Sequence, residues 1–212
     1  YSMKKLIVFL IILFFPLNIY ALSDTAKSTI AMDMDSGRIL YQKNADEQRL
    51  IASITKIMTA VIAIENGNLD DTVTIGEEIK EAYGSGIYIK VGEKMILRDL
   101  VYGLMLRSGN DAAIVIAYHI GGTEEKFVEM MNAKAKEIGM KNTIYRNSHG
   151  LDESTKNYST ARDMAILSSY ANKLDVADGC EGDLIVKIVS SYRYRRNEIM
   201  SGKSEMGEAC SP

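Results

Sequence analysis

A chain of 212 residues has room for about one ordinary domain with a sizeable core. Its residues are 47% hydrophobic and 25% charged, a globular balance, and the formal net charge of −3 offers no electrostatic case for nucleic acid. Two histidines and two cysteines, widely scattered, fit none of the familiar zinc patterns.

After Tyr1 and Ser2, Met3, Lys4 and Lys5 form a short basic region, and "LIVFLIILFFPLNIYA" at 6–21 follows. This run is apolar on every side, short for a spanning helix, broken by Pro16 and closed by the small Ala21. It reads as a secretory signal over residues 1–21, with an uncleaved N-terminal membrane anchor as the alternative. The mature protein is then expected outside the cytoplasm, in the cell envelope, the periplasm or on the outer face of the membrane. Export would also permit Cys180 and Cys210 to pair, although nothing in their spacing requires it.

"KSTIAMDMDSGRILYQKNADEQ" predicts two short strands around a turn at Asp35-Ser36-Gly37, with Ile30, Met32 and Met34 alternating against polar neighbours. A lone hairpin is marginal in water, so it needs further strands or a covering helix. The run after Ser53 carries Ile54, Ile57, Met58, Val61, Ile62 and Ile64 and predicts a central buried helix ending at Asn66-Gly67. Residues 97–107 and 111–122 predict two more apolar helices, the second closed by paired glycines. Thr123 caps an amphipathic helix over 124–139. Thr160-Ala161-Arg162-Asp163 resembles a capping box and starts a helix running to about Lys173. From about Asp175 the periodicity fades, although "DLIVKIVSSYRYRR" could form one strand. Three segments follow: 1–21, a domain at 22–174, and an atypical tail at 175–212.

Chemistry concentrates in two places. Ser53-Ile54-Thr55-Lys56 sets a hydroxyl and an amine three residues apart, on one face of a helix start. Ser53 reads either as a plain helix cap or as a nucleophile beside its base. The apolar helix around Lys56 favours the second, because a buried amine sheds its proton more readily. Ser108-Gly109-Asn110 lies between two apolar helices. Its plain reading is a helix break in which Asn110 or Asp111 caps the next helix. Its functional reading makes Ser108 a proton relay and Asn110 a ligand for a peptide carbonyl.

Ser53-x-x-Lys56 followed by Ser108-x-Asn110 resembles the penicillin-recognising serine enzymes. The phrases "MDMDSGRILYQKNADEQRLIASITKIMTA", "GEKMILRDLVYGLMLRSGNDAA", "NSHGLDE" and "YSTARDMA" are similar to the serine D-alanyl-D-alanine carboxypeptidases, the low-molecular-mass penicillin-binding proteins of peptidase family S11. The likeness covers roughly residues 30–171. It implies an α+β fold of the β-lactamase/transpeptidase type, an antiparallel sheet flanked by helices. It also implies hydrolysis of the terminal D-Ala from peptidoglycan stem peptides through an acyl-enzyme, with β-lactams as acylating inhibitors. The roles it implies are Ser53 as nucleophile, Lys56 as base, Ser108 as relay and Asn110 as substrate ligand, with no metal or organic cofactor.

The family's third motif, Lys-Thr-Gly, has no counterpart; the later Lys203-Ser204-Glu205 lacks the glycine. In that family the motif's strand supplies one oxyanion donor, so the resemblance implies a loss of about 2.7–4 kcal/mol of transition-state stabilisation. The sheet is then expected to lack its C-terminal strands, with the chain a truncated or frame-shifted version whose likeness ends near Leu174. The alternatives are an inactive fragment, a non-catalytic wall-binding module and, more distantly, a β-lactamase. His149 in "NSHGLDE" is read as a structural loop residue and His119 as an ordinary polar position. The twelve methionines are read as core filler.

Overall fold

The computed structural model describes residues 25–151 and 155–174. The signal segment, Cys180, Cys210, Lys203 and the strand-like stretch at 183–196 lie outside the described residues. In chain order the elements are β1 (Thr29–Met32), β2 (Ile39–Lys43), β3 (Arg49–Leu50), a 3₁₀ turn (Ala52–Thr55) and α1 (Lys56–Asn66). Then come β4 (Thr72–Thr74), a second 3₁₀ turn (Glu77–Glu81), β5 (Lys94–Ile96), α2 (Leu97–Leu106) and α3 (Asn110–Gly121). The last are α4 (Glu124–Glu137), β6 (Tyr158–Ser159) and α5 (Ala161–Ala171). Among the described residues no helix is long and apolar enough to cross a membrane.

Strands pair antiparallel in three ribbons: β1 with β2, β3 with β6, and β4 with β5. In the first, Thr29 faces Lys43 and Ala31 faces Tyr41, and the register slips between Ala31 and Met32. Helix α5 backs onto this hairpin through Ser169 Oγ, which donates to Met34 O at 2.8 Å. Near its start, Arg162 donates to both carboxylate oxygens of Asp46 and to Gln42. The hairpin still leaves Met34, Ile39, Leu40 and Tyr41 exposed. This matches the expectation that two strands alone cannot hide their apolar side chains.

The core is helical. Met58, Val61 and Ile62 of α1 meet Leu97, Leu100, Val101 and Leu104 of α2, with Phe127 and Met131 of α4 and Leu167 of α5 in the same cluster. Full burial of each such side chain contributes about 1.5–3 kcal/mol. Helix α1 is buried at its core as expected. Helix α3 is more so, with every residue from Asn110 to Ala117 inside. It stops where Gly122 takes a left-handed turn at φ +75°.

Two local readings change. Thr160 Oγ1 accepts from Asp163 N–H, which is half of a capping box. The Asp163 carboxylate does not reach back; its Oδ2 accepts from Asn142 N–H and Thr143 Oγ1, both at 2.7 Å. A buried carboxylate can satisfy a neighbouring loop as well as its own helix, and here tertiary contacts win. Neither Asn110 nor Asp111 caps α3 from outside. Gly109 is the cap residue, and both side chains sit inside the first turn.

Candidate active site

Ser53 lies in the 3₁₀ turn just before α1, not on the α-helix itself, and its side chain caps neither element. Side chains three apart eclipse one another in 3₁₀ geometry. Lys56 Nζ accordingly lies 3.2 Å from Ser53 Oγ, with Ser53 exposed and Lys56 only 2% exposed. The amine also donates to His149 O at 2.6 Å, across 93 residues of sequence. Burial lowers the Lys56 pKa from its ordinary 10.5 to about 8. Roughly a tenth of it is then a free base at pH 7, against about one part in three thousand for an ordinary lysine.

The loop that brings His149 here is held by two buried asparagines. Asn157 Oδ1 accepts from Arg146 and Asn147 N–H, and its Nδ2 donates to Thr55 Oγ1 and Asn147 O. Asn147 Oδ1 accepts from Gly150 N–H at 2.6 Å, while its Nδ2 reaches Leu151 O and Thr155. Gly150 closes the turn at φ +84°, pressed against Ala52 O, where a side chain has no room. His149 is thus more than a spacer: its carbonyl is a direct partner of the candidate base.

On the other side, Ser108 is half-buried and left-handed at φ +55°, an uncommon conformation for a non-glycine residue. Asn110 N–H donates to Ser85 O at 2.8 Å, and Asn110 Nδ2 to Tyr83 O at 2.7 Å. The Asp111 carboxylate accepts from Ile87, Tyr88 and Ile89 N–H. These bonds fasten the 83–89 loop to the start of α3. A concavity of about 370 Å³ between this loop and the end of α2 is lined by Ser85, Gly86, Tyr88, Leu106, Arg107 and Ser108.

The halves meet at Gly84, where a Cβ would lie 3.0 Å from Asn110 Nδ2 and 3.9 Å from Leu151 Cδ2. Among the described residues no hydrogen bond joins Ser108 to Ser53 or Lys56. Sequence reasoning had paired Ser53 with Lys56 and Ser108 with Asn110. It missed Asp111, Asn147, Asn157 and Glu124, although Asn147 stands in the quoted "NSHGLDE" and Asp111 directly follows Asn110.

Comparison with known proteins identifies the family and the fold. The profile of the D-alanyl-D-alanine carboxypeptidases matches residues 19–194, so the likeness runs on past Leu174, the end expected from the sequence. D-alanyl-D-alanine carboxypeptidase DacF of Bacillus subtilis is 40% identical over 159 residues, 73% of this chain and 41% of its own length. Among solved structures, D-alanyl-D-alanine carboxypeptidase DacD of Francisella tularensis superposes with a TM-score of 0.67 at 40% identity, covering 70% of this chain and 37% of that one. The D-alanyl-D-alanine carboxypeptidase of Mycobacterium tuberculosis gives 0.71 at 31% identity, covering 76% and 61%. The chain spans about two fifths of the length of the curated relatives it matches. Its described residues carry the penicillin-binding, transpeptidase-type fold, and the chain belongs to the D-alanyl-D-alanine carboxypeptidase family of serine peptidases, S11.

Proposed function

We propose that this chain supplies the acylation machinery of a serine D-Ala-D-Ala carboxypeptidase acting on peptidoglycan stem peptides outside the cytoplasm. The observation that carries the reading is a buried lysine with its amine 3.2 Å from an exposed serine hydroxyl. Neutral Lys56 takes the proton as Ser53 Oγ attacks the carbonyl carbon of the penultimate D-Ala. The C–N bond to the terminal D-Ala breaks, its amine gains a proton relayed through Ser108, and water later hydrolyses the ester. Asn110 Nδ2 carries two hydrogens. One is on Tyr83 O, and we assign the other to the substrate's peptide carbonyl. The backbone N–H of Ser53 is the assigned oxyanion donor. A β-lactam carbonyl would be attacked in the same way, leaving a covalent ester. Signal-directed export and any membrane anchorage belong to this proposal as well.

Labelling of the purified chain with a fluorescent penicillin tests it, with the adduct located by mass spectrometry and Ser53→Ala as control. An adduct on Ser53, absent from the variant, together with D-Ala release from a D-Ala-D-Ala-terminated pentapeptide, is the expected result. A soluble, cooperatively folded chain that takes no label would overturn the assignment.

A further inference from the structure

Glu124 opens α4 beside its cap Thr123 and has no part in the roles above. Its Oε1 accepts twice from one residue, from Ser148 N–H at 3.0 Å and Ser148 Oγ at 2.9 Å. His149 Nε2 lies 3.9 Å from the same oxygen. Ser148 is fully buried, and its own carbonyl accepts from Thr59 Oγ1 of α1 at 2.6 Å. The very next carbonyl, that of His149, receives the Lys56 amine. Only one peptide unit therefore separates the residue held by Glu124 from the partner of the candidate base.

The His149 ring is oriented within this clamp. Its Nδ1 accepts from Leu151 N–H at 3.1 Å, so in the neutral ring the proton sits on Nε2, the nitrogen facing Glu124. A negative charge at the first turn of α4 also suits the partial positive charge of a helix N-terminus.

We infer that Glu124 is a positioning residue for the acylation step: by holding Ser148 and His149 it keeps the His149 carbonyl on Lys56 and aims the amine's lone pair at Ser53. The inference rests on the Ser53–Lys56 reading proposed above. A neutral amine has two hydrogens and one lone pair. With one N–H fixed on His149 O at 2.6 Å, rotation about the Cε–Nζ bond is restricted and the lone pair can face Ser53 Oγ. The same clamp keeps the 147–150 loop over Nζ and water off it, and that shielding is what makes the amine a competent base near neutrality. Titratable groups set around the clamp are Lys56 on α1, His149 on the loop and Tyr118 on α3, which faces Glu124 together with Glu125 of α4 and Glu78 and Glu81 of the second 3₁₀ turn.

The test uses the full chain with Glu124→Ala and Glu124→Gln. Lys56 is titrated by NMR of isotope-labelled lysine, its signal assigned by its loss in Lys56→Met, and penicillin acylation is followed across the neutral and alkaline range. Glu124→Ala is expected to raise the Lys56 midpoint from about 8 toward 10.5. The same change should slow acylation at neutral pH by about 10- to 100-fold. Glu124→Gln keeps an oxygen for Ser148, so it should retain the midpoint and most of the rate. An unchanged midpoint in Glu124→Ala overturns the proposal, and so does a fall in both variants, which is what loss of the negative charge alone would produce. If Glu124→Ala does not fold, Ser148→Ala decides by the same midpoint, with a smaller rise expected and no rise overturning the clamp. The titration is readable whether or not the chain acylates, so a chain that fails to take penicillin counts against the proposed function while the midpoint still judges Glu124.

Discussion

On the Lys56 side of the site, Asn147, Asn157 and Glu124 grip the 146–151 loop; on the Ser108 side, Asn110 and Asp111 grip the 83–89 loop. Both halves use amide or carboxylate groups, all buried except the partly exposed Glu124, to satisfy loop backbone that could not otherwise leave water. They differ in where those groups come from. Around Lys56 the gripping side chains stand about 70 to 100 positions from the Ser53–Lys56 motif, which leaves both motif residues to face each other. Around Ser108 the motif grips its own wall: Asn110, a candidate substrate ligand, already gives one amide hydrogen to Tyr83 O. One short polar motif thus has its side chains facing each other, while the other spends part of its hydrogen bonding on its own wall.

Substitutions can break that comparison, and Gly150→Ala should act most strongly. Its φ is +84°, and a methyl would press into Ala52 O and lie 2.9 Å from Thr55 Oγ1, displacing the turn that carries Ser53. A loss above about 4 kcal/mol in denaturant unfolding, together with loss of Ser53 labelling, is expected. A loss under about 1 kcal/mol would mean that the loop does not brace the turn.

The pH dependence of stability sharpens the same half. The folded-state pKa of Lys56 is lowered, so the folded chain resists a proton that the unfolded chain accepts. The cost is present in full below pH 8, and stability from this group rises as pH goes from about 8 to 10.5. Comparing the wild type with Lys56→Met cancels the other titrations. Wild-type stability should gain about 3 kcal/mol on the variant across that window. A constant difference would place the amine in water.

Asp111→Ala probes the opposite half. It strips the acceptor from three backbone N–H groups at 87–89, and about 2–3 kcal/mol should be lost. Amide exchange should quicken in that loop while the Lys56 midpoint stays in place; a shift in that midpoint would show that the halves are coupled. The smallest effect is expected from Thr123→Ala. It removes the side-chain cap of α4, about 1 kcal/mol, as thermal unfolding would register.

Helices α1 to α4 were legible because apolar residues recur along them, as in Leu97, Leu100, Val101 and Leu104, and α5 was legible from the cap at Thr160. The hairpin was legible from its alternation. Strands β3 to β6 were not, because two or three residues carry no period to read. Spacing and position left Ser53, Lys56, Ser108 and Asn110 open between plain and functional readings, and the family resemblance carried by the phrases around them made them candidates. Glu124 went unnoticed because a charged residue in the first turn of an amphipathic helix looks like ordinary solvated surface.

The order of residues alone determined which segments are helical and that Lys56 stands one turn beyond Ser53, since both follow from contacts within a few residues. Only the tertiary structure decided that the Lys56 amine is buried while it faces Ser53. Its depressed pKa comes from burial, and its hydrogen bond goes to a carbonyl at His149 that three-dimensional packing alone brings within 2.6 Å. Desolvation belongs to the folded environment, so no local stretch of sequence contains it.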